Sequence, residues 1–197
     1  MDNDVSIKWI DNQIIALEKS FGVKEPFDNS KVVYLLSINN VDEAIQLIAK
    51  QLDLPIRVNA SYVPNDYSSI NSSNQFHSTH MVKYEGNKGG DAGGVFAQVE
   101  IPPGLPLFGS PSLNNYPIKI KVNEDCKLHP ETFTTVIAHE LTHVLLYSLR
   151  HNEKDNEFCT DITTMILGFN EIFYNGRTVV TKTEEKEDWD GSKTITT

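Results

Sequence analysis

The stretch Pro130-Glu131-Thr132-Phe133-Thr134-Thr135-Val136-Ile137-Ala138-His139-Glu140-Leu141-Thr142-His143-Val144-Leu145-Leu146-Tyr147-Ser148-Leu149 decides how the rest of the chain is read. Its apolar residues Phe133, Val136, Ile137, Ala138, Leu141, Val144, Leu145, Leu146 and Leu149 spread around most of a helical circumference. That spread predicts a helix over 130–149 that is buried on nearly all sides. Pro130 suits a first helical position, where its missing N–H costs nothing, and Glu131 complements the positive end of the helix dipole. Within the helix lies His139-Glu140-Leu141-Thr142-His143. Two histidines four residues apart leave one face about a turn apart, so both imidazoles can reach a single metal ion. Glu140 projects about 100° round from them, close enough to bond a metal-held water without itself being a ligand. At 6 histidines in 197 residues, the motif has a chance probability of roughly 1%. A hydrogen-bonded histidine pair is the alternative. Two histidines and a carboxylate on so apolar a helix would cost on the order of several kcal/mol unless paired or ligated, which favours the metal.

A zinc site open for catalysis needs a third protein ligand and leaves a fourth position to water. Glu157, in Asn156-Glu157-Phe158-Cys159-Thr160-Asp161, is the candidate. A polar turn over 150–155 lets a second helix, predicted over 156–169, fold back antiparallel and bring its first turn beside the histidines. Asp161 lies four residues on, on the same face, where it can accept the remaining N–H of a ligating histidine. His151 is the rival ligand. A continued helix would carry it about 12 Å from His143 and 80° round, and no glycine between Val144 and Arg150 offers a sharp turn. His77 and His80 lie in a Ser-rich stretch and read as loop residues. Tyr147 and Tyr174 read as core or surface tyrosines. No nucleophile-elbow or cysteine signature supports Ser-His-Asp or Cys-His catalysis.

Working outward, Ile7, Ile10, Ile14, Leu17 and Phe21 predict a helix over 7–21, stopped by Gly22. Residues 32–36 are apolar and fit strand or helix. A helix over 41–52 follows, with Asn40 as its expected N-cap. Alternation at Ile56, Val58 and Ala60 predicts a strand. Residues 64–79 and the glycine-rich 86–94 read as loops, the latter lacking the Lys-Ser/Thr of a phosphate loop. Further strands are predicted over 81–84, 95–101 and 118–122. The expectation is an α+β domain over 1–178, two N-terminal helices and a twisted sheet of about four strands around the buried helix, followed by an acidic, flexible tail over 179–197.

Hydrophobic residues make up 39% of the chain and charged ones 22%, enough for a core and too few apolar runs for a bilayer span. With 17 basic against 27 acidic residues, the net charge of -10 argues against nucleic acid or an anionic membrane as partner. Met1-Asp2-Asn3-Asp4 lacks the basic start of a secretory signal. Cys126 and Cys159 cannot build a disulfide framework and read as small buried hydrophobes. A cytoplasmic protein is the expectation.

His-Glu-x-x-His at 139–143 followed by Asn-Glu-x-x-x-Asp at 156–161 resembles the zincin metallopeptidases, in particular the gluzincin group. The likeness covers about 23 of 197 residues, and its gap of 13 residues between His143 and Glu157, short for the group, requires a tight helical hairpin. The resemblance implies a minimal zincin-like fold and one zinc per chain held by His139, His143 and Glu157. It further implies Glu140 as general base, Asp161 supporting a histidine, and hydrolysis of a protein or peptide substrate that pairs with an edge strand, here 95–101. The alternative is a non-catalytic binding or regulatory module whose structural or vestigial zinc is closed by a fourth ligand, for which His151 is available.

Overall fold

In the computed structural model, which describes residues 6–64, 76–82, 84–85, 94–176, 179–180, 184–187 and 193–196, three helices precede a four-stranded mixed sheet and three follow it. Helix α1 (Ile7–Phe21) starts where the Ser6 hydroxyl accepts the Trp9 N–H at 3.2 Å and stops at Gly22, at φ 71°. The ambiguous run at 32–36 is helical. It lies in α2 (Ser30–Ser37), whose buried Val32, Leu35 and Leu36 recur at helical spacing. Helix α3 (Val41–Gln51) buries Val41, Ala44, Ile45, Ile48 and Ala49. Asn40 does not cap it as expected. Its side-chain amide donates to Glu43 Oε2 at 2.7 Å and bonds no backbone N–H of the first turn.

Strands β1 (Arg57–Val63), β2 (Phe76–Val82), β4 (Gly94–Ile101) and β5 (Pro117–Asn123) form the main sheet in the order β1-β5-β4-β2. β1 runs parallel to β5, and the other pairs are antiparallel. Alternation on β5 sends Ile118, Ile120 and Val122 into the core and leaves Lys119 and Lys121 on the other face. Those residues, with Val58, Ala97 and Val99, pack in one continuous core with Ile45 and Ile48 of α3 and Phe133, Ile137, Leu141 and Val144 of the central helix. The central helix is α4 (Pro130–Ser148), and Thr132 through Leu146 are all buried, as its all-round apolarity requires.

Two expectations for the sheet are corrected. Residues 76–79, read as loop, belong to β2, while 65–75 and the glycine-rich 86–93 lie outside the described residues. The strand over 95–101 is interior. β4 bonds β5 on one side and β2 on the other, so it has no open ladder to offer a peptide. The sheet edges among the described residues are β1 and β2. The β1 edge is covered by α3, because the Gln46 amide accepts from the Val58 N–H at 3.4 Å and donates to the Ile56 carbonyl at 2.9 Å. Asp42 Oδ1 accepts the Ala60 N–H at 3.2 Å.

The helix expected over 156–169 is followed, past a bend, by a second helix that was not expected. α5 (Glu157–Thr164) passes into one π turn (Met165–Phe169), bends at Leu167 and Gly168, and continues as α6 (Asn170–Gly176). Gly168 takes φ 100°, and a Cβ there would collide with the Glu25 carbonyl oxygen and lie 2.7 Å from Gln51 Nε2. The segment after α1 docks on this bend, with the Lys24 N–H donating to Ile166 O at 3.0 Å and the Phe27 N–H to Gly168 O at 2.8 Å. In the expected tail, β6 (Val179–Val180) pairs parallel with β3 (Tyr84–Glu85), and β7 (Glu184–Glu187) pairs antiparallel with β8 (Lys193–Thr196). Among the described residues no helix is long and apolar enough to cross a membrane.

Candidate metal centre

The site depends on how α4 ends. Arg150 adopts φ 55°, the left-handed conformation usual for glycine at this place. The His151 N–H then reaches Leu146 O at 2.9 Å and the Arg150 N–H reaches Tyr147 O at 3.1 Å, the paired bonds of a Schellman motif. The Arg150 guanidinium holds the turn by donating to Tyr147 O at 3.0 Å and Leu105 O at 2.7 Å. Across the turn the Tyr147 hydroxyl donates to the Asp155 carboxylate. Burial and that bond raise the Tyr147 pKa, and the same bond lowers that of Asp155. Asn156 caps α5, its Oδ1 accepting from the N–H of Phe158 at 3.1 Å and of Cys159 at 3.4 Å. The hairpin that the short spacing demands is thus made without glycine.

Glu157 is thereby set at the first helical position of α5, beside the two histidines of α4. Its Oε2 lies 3.0 Å from His139 Nε2 and 3.3 Å from His143 Nε2, and the two Nε2 atoms are 3.1 Å apart. Ligands about 2.0–2.1 Å from a tetrahedral ion sit about 3.3–3.4 Å from one another, so this triangle matches one face of such a site to within a few tenths of an ångström. His139 and His143 are buried, whereas the Glu157 side chain is 61% exposed, so the triangle opens toward solvent on the α5 side.

The outer nitrogens are also engaged. His139 Nδ1 lies 2.8 Å from Asp161 Oδ1, a contact in which the ring N–H donates to the carboxylate. The Thr160 hydroxyl lies 3.2 Å from Asn156 O, to which it can donate, and 3.4 Å from His143 Nδ1. With a cation in place and both N–H groups on Nδ1, both Nε2 lone pairs and the Glu157 carboxylate would converge on one point; without one, ring N–H groups on Nε2 face the Glu157 carboxylate. The electrostatics agree. Burial works against a charged His139, but the hydrogen bonds it donates to Asp161 and Glu157 and the field of Glu140 and Asp161 outweigh it and push its pKa up to about 10. The Glu157 carboxyl is held well below the usual range, chiefly by hydrogen bonds from His139 and His143. The donor set of two imidazoles and a carboxylate fits zinc.

Glu140 is wholly buried on α4 between His139 and His143, close enough for its charge to act on His139. His151 is not brought to the cluster. Its Nδ1 accepts the Glu153 N–H at 3.2 Å within the turn, and His139, His143 and Glu157 make up the group among the described residues that could hold a metal ion. Tyr174 is 87% exposed, and Tyr147 is spent on Asp155. Cys159 is a buried free thiol whose pKa burial pushes up to about 11, in line with its reading as a small hydrophobe. The side chains of Cys126, His77 and His80 lie outside what the structure describes.

Sequence reasoning missed Thr160 and Arg150. Thr160 carried a usable signal, since 157, 160, 161 and 164 form an i, i+3, i+4, i+7 stripe, and Thr164 Oγ1 meets Thr142 Oγ1 of α4 at 2.9 Å. Arg150 carried none, being a residue that seldom takes a left-handed φ. No known protein family matches the chain, and comparison with curated proteins and with solved structures likewise finds no match.

Proposed function

We propose that this chain is a zinc-dependent metallopeptidase with a minimal zincin-like fold, hydrolysing peptide bonds of a cytoplasmic protein or peptide. The observation that carries the reading is the count and placement of ligands. Three protein donors, not four, converge among the described residues, and the triangle opens on its exposed Glu157 side. A structural zinc is closed by four protein ligands, whereas a catalytic one keeps a position for water. His151, the fourth ligand considered for a closed zinc, is not part of the cluster among the described residues, and its Nδ1 accepts the Glu153 N–H within the turn.

His139, His143 and Glu157 would hold one zinc ion per chain, which when bound supplies a Lewis acid that acidifies water and polarises a carbonyl. The remaining work falls to the chain itself. Asp161 keeps the His139 proton on Nδ1, so that Nε2 offers its lone pair. The Glu140 carboxylate takes the proton from the attacking water and delivers it to the leaving amine as the C–N bond breaks. Burial of Glu140 keeps bulk water from competing for that proton.

Replacement Glu140→Gln is the test. Zinc content should stay at the wild-type level, while cleavage of a mixed peptide library falls by about 10²–10⁴-fold. Undiminished cleavage by the variant would refute the role given to Glu140, and zinc-loaded wild type without any cleavage would favour the binding module.

A further inference from the structure

We propose that Thr160 is a positioning residue of the metal centre, setting the tautomer and aim of His143 as Asp161 does for His139. The proposal rests on the reading of His139, His143 and Glu157 as zinc ligands. Antiparallel packing of α5 on α4 places successive residues of α5 against successive turns of α4, so that Asp161 faces His139 and Thr160 faces His143. The Thr160 side chain is wholly buried, which leaves no bulk water to take its place.

The proton count makes the assignment. A hydroxyl owns one proton and two lone pairs. The Thr160 proton goes to the Asn156 carbonyl at 3.2 Å, leaving only lone pairs to face His143 Nδ1 at 3.4 Å. That oxygen is compatible with a proton on Nδ1 and not with a lone pair there, so the His143 lone pair is turned to Nε2, the atom in the ligand triangle. A 3.4 Å separation is long for an N–H···O bond. The Asn156 carbonyl that fixes the hydroxyl belongs to the residue whose side chain caps α5, so one residue sets both the Glu157 backbone and the Thr160 proton. Groups that orient a ligating imidazole in this way typically change metal affinity by about 10–100-fold when removed.

The test compares Thr160→Val, which keeps the shape and removes the hydroxyl, with Thr160→Ser, which keeps the hydroxyl. Three quantities are read: zinc affinity by chelator competition, the thermal midpoint of the metal-free protein, and the ¹⁵N signature of the His143 ring. Thr160→Val should bind zinc at least about 10-fold more weakly and lose the Nδ1–H signature of His143, and Thr160→Ser should resemble wild type in both. Wild-type affinity in Thr160→Val would overturn the proposal. So would an equal loss of affinity in both variants that follows the drop in thermal midpoint, since that is what a purely structural role produces. Wild type that takes no zinc would overturn the metal reading itself. In that event an Nδ1–H signature unchanged in Thr160→Val would separately refute control of the tautomer by Thr160.

Discussion

Arg150 shows how much one residue can hold at a strained angle. Its φ of 55° costs a non-glycine residue about 1–2 kcal/mol, offset by guanidinium bonds to two carbonyls. Two replacements separate these terms. Arg150→Ala keeps the strain and loses the bonds, whereas Arg150→Gly loses both. Chemical denaturation should therefore find the alanine variant the less stable by about 1 kcal/mol, and the reverse order would mean that the turn is not strained. His139 carries the pH dependence of the metal-free fold. Its pKa is raised to about 10 from an ordinary value of 6.5, so its contribution to stability is complete below that ordinary value and is lost as pH rises through the folded one. The stability gap between wild type and His139→Gln, both zinc-free, should shrink over that window. A gap that widens with pH would contradict the paired, protonated ring. His139, Glu140 and His143 were legible from spacing alone, because a helix makes i and i+4 neighbours whatever surrounds it. The role of Thr160 was not, because a hydroxyl gains direction only from a carbonyl fixed in space.

At the scale of elements, periodicity located α1, α3 and α4 and left the division of the last helical stretch undetected. Helical geometry does break at Gly168, the usual meaning of glycine after a periodic run, but a further helix follows it. The structure makes it a bend, because Glu25 and Gln51, distant in sequence, occupy the space where a Cβ would stand. No local pattern contains that information. Gly168→Ala should cost about 2–4 kcal/mol, combining a left-handed φ with a backbone collision, and a urea midpoint within error of wild type would show the bend to be unconstrained. The same limit explains β4. Its alternating residues announce a strand, yet whether a strand is interior or edge depends on which partners arrive, here β5 and β2. On β1, the side chains of α3 occupy the outward backbone groups at 56, 58 and 60, a known way to blunt an edge against pairing.

For the molecule as a whole, a metal held by His139, His143 and Glu157 would tie the last helical hairpin to the central helix, and zinc that binds only the folded chain would stabilise it by linkage. Free zinc at a hundred times the dissociation constant should add about 2.7 kcal/mol to the unfolding free energy, and an unmoved thermal midpoint would show that no such site exists. The α+β architecture followed from the alternation of helical and two-residue periods. The clustering of His139, His143 and Glu157 followed from two motifs on two helices, and their distance in space rested on a turn whose chemistry was hidden.

Zinc per chain, measured by elemental analysis on wild type, Glu157→Ala and His151→Ala purified side by side, tests the ligand assignment most directly. One zinc in wild type and in His151→Ala, with loss in Glu157→Ala, is the expected result. Zinc retained without Glu157, or absent from wild type even after reconstitution, would contradict it.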